Sequence, residues 1–255
     1  MKQLVAFIQK EFMEIVRNSK LLICGIIFAL LGIMNPAIAK MTPWIMEMYS
    51  ETSSSGIVFQ KVEVTALTSW EQFYKNMPIG IIVFVLMFSG IVAAELQKGT
   101  LINIVTKGMS RWKIMISKFI MMLVLWTGVY FLSYVITYFY NAFYWDNSIA
   151  KNIFFSVFCL YLFGVWLISL IMLASAFADN SATVSLGVCG GFIVSYVLGI
   201  IPTIQDYMPT KLMDSLTLMV GEVKLDEFIP AIIIVLCLSF ANVVLGIIFF
   251  NKKNL

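Results

Sequence analysis

The chain has 255 residues, of which 61% are hydrophobic and 12% charged, and its net charge is +3. So few charged residues cannot cover a surface wetted on all sides, which excludes a soluble globular protein. There is no histidine, and Cys24, Cys159, Cys189 and Cys237 all fall in apolar runs. That argues against a zinc or haem site and against a disulfide framework.

Residues 1–20 are the first predicted element. At about 100° per residue, Leu4, Val5, Ile8, Phe12, Ile15 and Val16 share an arc of about 120°. Lys2, Lys10, Glu14 and Arg17 point the other way. A helix so divided lies in the membrane interface, with its basic residues among headgroups.

Residues 21–39 are the first of six runs without Asp, Glu, Lys or Arg, the others being 78–94, 119–140, 153–178, 181–204 and 231–250. At about 1.5 Å per residue, a hydrocarbon core of roughly 30 Å needs about 20 apolar residues. The predicted fold is therefore an all-α integral membrane protein. It has six transmembrane helices behind an amphipathic interfacial helix, in one domain over 1–255. Spans without ionisable groups offer no proton or ion relay. Residues 21–34 followed by Ala37-Ile38-Ala39 imitate a cleaved secretory signal, but the preceding twenty residues are too long and too patterned for a basic leader.

The stretch 40–77 contains Ser53-Ser54-Ser55-Gly56, read as a flexible tip, and then the aromatic-rich segment 64–74, read as an interfacial helix leading into Pro78. The third and fourth spans are dense in aromatics, from Trp126 to Trp166, a stripe suited to lipid contact or helix packing. Asp179-Asn180 is so short a link that the fourth and fifth spans must form an antiparallel hairpin. Gly187, Gly190, Gly191, Ser195 and Gly199 give the fifth span a face open to close helix approach. Residues 205–230 are too short to span twice and predict short helices in the outer leaflet. With both ends on one side, eleven Lys and Arg fall on that side and six on the other, which predicts cytoplasmic termini.

The segment 95–113 between the second and third spans is the most specific. Gly99 permits a turn and Thr100 can cap a helix; Leu101, Ile104 and Val105 share a face; Lys107 suits a helix carboxyl end and Gly108 terminates it. Ser110 then caps the next helix. Two helical turns are unstable in water without packing, so the apolar face needs the membrane surface or a groove on another protein.

This loop resembles the coupling loop of the type-2 family of ABC-transporter permeases, membrane subunits of bacterial exporters. The resemblance rests on Glu95 with Lys98-Gly99-Thr100-Leu101, on Gly108-Met109-Ser110-Arg111 through Lys118, and on residues 10–17 as an elbow helix. It implies that Thr100, Leu101, Ile104 and Val105 fill a cleft on a separate ATPase, with Lys107 and Arg111 at its rim, Gly99 at the turn and Glu95 linking loop to span. It implies a plasma-membrane location, two ATPase subunits carrying ATP and Mg, and a second permease copy. The chain lacks a phosphate loop, so it is expected to bind no cofactor and catalyse no reaction. No nucleic-acid partner is expected.

By the same resemblance, cargo passes along the second and fifth spans, past Phe84, Met87, Phe88 and Tyr196. An uncharged path suits hydrophobic or amphipathic cargo, with a membrane-active peptide preferred. The alternatives are a non-transporting scaffold or sensor and, further off, an ion-coupled carrier.

Overall fold

The computed structural model describes residues 2–52 and 64–253; the tip at 53–56 lies outside them. The described residues are almost wholly helical. In chain order the helices are α1 (Lys2–Arg17), α2 (Lys20–Thr52), α3 (Ala66–Phe88), α4 (Gly90–Gln97), α5 (Thr100–Thr106), α6 (Arg111–Tyr144), α7 (Ile153–Phe177), α8 (Ser181–Gly199), α9 (Leu216–Val220) and α10 (Ile229–Lys252). Short 3-10 turns fill 205–207, 209–215 and 225–228. Among the described residues, six segments are long and apolar enough to cross a bilayer: α2, α3 continued by α4, α6, α7, α8 and α10. They correspond to the six predicted runs.

Four spans run longer than their apolar runs, whereas α7 ends at Phe177 and α8 at Gly199, short of the predicted 178 and 204. α2 contains Pro36 and continues past residue 39 through Pro43, and α6 starts at Arg111 rather than at 119. Pro36 has no N–H to give the Gly32 carbonyl, which would leave that carbonyl bare inside the bundle. The Thr137 hydroxyl of α6 donates to it at 3.0 Å. Asn35 donates to Thr137 at 3.1 Å and Asn76 of α3 donates to Asn35 at 2.9 Å. One polar relay thus joins three spans where lipid could satisfy none of its members.

Of the segment 64–74, residues 66–74 form the first part of α3, and Pro78 lies inside that helix rather than at its start. α7 is the central span and packs against α3, α6, α8 and α10. Trp126 of α6 sits among Phe28, Phe84 and Tyr130, with ring centroids 5.9, 5.3 and 5.1 Å away. The aromatic stripe divides in two: Trp126, Tyr130, Phe163 and Trp166 are buried, whereas Phe131, Phe139 and Phe154 are exposed. On α8, Gly187 and Gly191 bring the backbone against Ala174 and Leu170 of α7, where a Cβ would come within 3.0 Å.

Residues 209–215 are pinned to the bundle by a buried knot. The Ser215 hydroxyl bonds the Tyr74 hydroxyl (3.1 Å) and the Ser156 carbonyl (3.0 Å), while the Ser156 hydroxyl bonds Tyr74 (2.7 Å) and the Ser215 carbonyl.

Candidate functional site: the loop helix and its ion-pair ring

α4 ends at Gln97 with Lys98 as its C-cap, and Gly99 (φ 65°) turns the chain into α5; Gly108 (φ 88°) turns it again into α6. Both positions use the left-handed region that glycine enters without a Cβ penalty. The N-cap of α5 is Gly99, not Thr100, whose hydroxyl instead donates back to the Glu95 carbonyl at 3.2 Å. Ser110 holds the N-cap position of α6 in extended backbone, without a side-chain capping bond.

α5 does not present its apolar face outward. Leu101 is fully buried, and Ile104, Val105 and Met109 are half-buried against the same core. The outer edge consists of Thr100, Ile102, Asn103, Thr106 and Lys107. The two-turn helix is therefore stabilised by its own bundle, which answers the packing requirement without a foreign groove. Between α1 and α5 runs an open groove of about 320 Å3, lined by Gln3, Phe7, Lys10, Ile104, Lys107 and Met109.

Behind α5 lies a closed ring of four charges. Lys10 Nζ is 3.0 Å from Glu11 Oε1 and 2.9 Å from Glu95 Oε1; Lys118 Nζ is 3.0 Å from Glu11 Oε2 and from Glu95 Oε2. The Lys118–Glu95 contact is an ion pair without hydrogen-bond alignment. Lys118 and Glu11 are buried, with side chains 1% and 3% exposed. A buried ammonium is tolerable only when paired, because its desolvation costs several kcal/mol. Two carboxylates and two ammoniums balance here. Glu14 joins from outside, 2.7 Å from Lys10. Burial by itself would lower the Lys10 pKa, but hydrogen bonds to Glu14 and Glu95 outweigh it and hold that pKa well above the usual lysine range. The bond from Lys10 in turn lowers the pKa of Glu14. Glu11, Glu14 and Glu95 bring their oxygens within 4.8 Å of one another, and the lysines supply the balancing charge.

The ring ties α1 to α4 and α6, the helices flanking α5. α1 meets the bundle through Phe7, Glu11 and Ile15, one helical row, and leaves Val5, Phe12 and Val16 of its predicted apolar face exposed. Both chain ends meet this end of the bundle. Lys113 donates to Gln3 at 2.8 Å, and Arg111 donates to the carbonyls of Asn251 (3.1 Å) and Lys253 (2.5 Å). Arg111 therefore caps α10, where a cation suits the helix carboxyl end. Lys253 reaches Asp179 at 2.8 Å, closing the α7–α8 turn onto the same end.

Of the residues predicted to line a path, Phe84 and Phe88 lie in the core, 1% and 0% exposed, with their rings 4.6 Å apart. They do not face the groove between α3 and α8. Ile82, Val85 and Leu86 line it instead. Met87 is half-buried, and Tyr196 is exposed on α8. From the sequence, Lys10 and Glu11 fall in the elbow helix and Lys118 in the loop motif, but nothing there pairs them. Their signal was faint: one acid on the inward row of α1 and one lysine a residue before an apolar run.

These features define a polytopic helical membrane protein with a short helix strung between two spans and braced by a buried charge ring. The chain belongs to the ABC-2 family of transporter proteins, whose sequence profile matches residues 5–255. Proteins of this family are membrane permeases that work with ATPase subunits. Comparison with curated proteins gives no match.

Proposed function

We propose that this chain is the permease subunit of an ATP-driven exporter, with α5 and the adjoining edge of α1 as the seat for a separate ATPase. Two ATPases, which bind ATP and Mg, and two permease copies form the working unit. Both termini and α5 face the cytoplasm, on the side that gathers eleven of the seventeen Lys and Arg. The observation that carries the reading is the mounting of α5. Leu101 anchors it inward, glycines with left-handed backbone flank both ends, and the ring ties α1, α4 and α6 to one another. A push on the outer edge would then reach the spans as tilt rather than dissipate as local unfolding.

The roles assigned by the family resemblance shift accordingly. Ile102, Asn103, Thr106 and Lys107, with Thr100, meet the ATPase. Leu101, Ile104 and Val105 hold the helix in place, Glu95 joins it to the spans, and Arg111 braces α10. The cargo is hydrophobic or amphipathic, and the α3–α8 groove with its apolar walls supports this. A second copy is supported by α8, the least buried span, which exposes Leu186, Ile193 and Val197.

The test is co-purification with the cognate ATPase and nucleotide-driven transport in vesicles. Ile102→Asp is expected to break the complex or uncouple hydrolysis while leaving the fold intact. Normal assembly and transport by that variant would refute the docking role. Transport by this chain alone, without nucleotide or partner, would refute the whole reading.

A further inference from the structure

The groove between α3 and α8 has two chambers that share Phe192 and Met213. The inner one, about 390 Å3, is walled by apolar side chains such as Ile82, Leu86 and Val188; Ser185 is the only hydroxyl among its lining residues, and Cys189 also lines it. The outer one, about 290 Å3, lies at the carboxyl end of α8 and is lined by Tyr196, Gln205, Thr210, Lys211 and Asp214. Each volume lies near the lower end of the range for small-molecule sites, which suits a small ligand with one greasy end and one polar end.

We propose that the two chambers form one binding site for a single-chain amphiphile with an ammonium head, its chain between α3 and α8 and its head against Asp214. The charge balance selects the sign of the head. Lys211 Nζ is committed to Asp206, 3.1 Å away, and lies over the Phe228 ring, 5.6 Å from its centroid. Asp206, outside the lining, already neutralises Lys211, and Asp214 makes no ion pair within 4.0 Å among the described residues, so the lining is left with one unpaired carboxylate. An ammonium is attracted there and a sulfate repelled. Tyr196, exposed at the mouth, adds a ring face of the kind that favours cations. Asp214 is exposed yet partly desolvated by its neighbours. That partial burial raises its pKa, with Lys211 pulling the other way, and a cation at this point would relieve the cost.

The inference deepens the reading of this groove as the cargo path and rests on it, yet its test needs neither ATPase nor transport. Of the four cysteines, Cys189 and Cys237 are exposed and Cys24 and Cys159 are buried. Cys189 lines the inner chamber, and Cys237 on α10 serves as an internal control. The protein in phosphatidylcholine nanodiscs is labelled with a small maleimide, and both sites are followed by peptide mass spectrometry. Dodecylammonium is expected to slow Cys189 relative to Cys237 about fivefold, the ratio given by ~1 kcal/mol of contact energy. Dodecyl sulfate at equal concentration should leave the ratio nearly unchanged. Asp214→Asn, at an exposed position, should bring the ammonium effect down to that of the sulfate. Equal protection by both amphiphiles, an undiminished effect in Asp214→Asn, equal slowing at Cys237 or no protection at all would each overturn the proposal. None of those results touches the docking test at Ile102, so the two readings fail separately.

Discussion

The hydroxyl of Thr137 donates to the Gly32 carbonyl, the group that Pro36 deprives of its helical donor. A residue of α6 thus repairs a defect built into α2. Thr137→Val keeps the shape and removes the repair, leaving the Gly32 carbonyl bare and the Asn35 amide without its acceptor. The expected loss is about 1–3 kcal/mol, read as a lower unfolding temperature in detergent. In a Pro36→Ala background the helix supplies its own donor, so Thr137→Val should cost less there, and equal costs in the two backgrounds would show that the carbonyl is not what Thr137 serves.

The charge ring predicts an asymmetric response to single substitutions. Lys118→Met leaves Glu11 with Lys10 alone and should destabilise the protein by about 3–5 kcal/mol, the scale for breaking a buried pair. Combining it with Glu11→Gln should recover part of that loss, because the remaining Lys10 and Glu95 still balance. A double variant no more stable than Lys118→Met would mean that Glu11 and Lys118 are not energetically coupled.

Acid should release α1 before the bundle melts. The Glu14 pKa is lower in the folded state than in the unfolded chain, through its bond from Lys10. Its contribution is therefore present above the ordinary carboxylate value of about 4 and is lost as pH falls through the lowered one. Hydrogen exchange at residues 2–17 should rise over that interval while exchange in α7 stays slow. Glu14→Gln should flatten the pH dependence of that rise, and an unchanged profile in that variant would show that Glu14 is not its source.

Gly164 packs directly beneath the Trp126 indole, and a Cβ there would overlap the ring. Trp126 also donates to the Tyr161 carbonyl at 3.2 Å, so it cannot swing away without losing that bond. Gly164→Ala should cost about 1–3 kcal/mol as an overpacking defect, seen in thermal unfolding and as altered tryptophan fluorescence. An Ala variant with wild-type stability would show that the ring moves freely.

Leu101 and Ile102 are neighbours with opposite assignments, 0% and 44% exposed. Leu101→Asp should lower expression and stability whether or not an ATPase is present, whereas Ile102→Asp should leave the unfolding temperature of the isolated chain unchanged. Equal destabilisation by the two would show that α5 is turned the other way.

Composition and charge spacing made six spans, an amphipathic first helix and a short glycine-bracketed loop helix legible, because the bilayer sorts residues by local hydropathy and each of these features is local in sequence. Which face of each helix turns inward was not legible. In a membrane the lipid-facing and core-facing sides are both apolar, so periodicity no longer distinguishes them, and Phe84 and Phe88 looked as suited to a path as to a core. The same ambiguity lets Leu101, Ile104 and Val105 read as an outward docking face when they pack inward. Glu11, Glu95 and Lys118 lie in three segments far apart in the chain, and nothing local marks them as partners. Only the tertiary packing of α1, α4 and α6 brings both carboxylates to 3.0 Å from Lys118, and burial then makes that pairing obligatory.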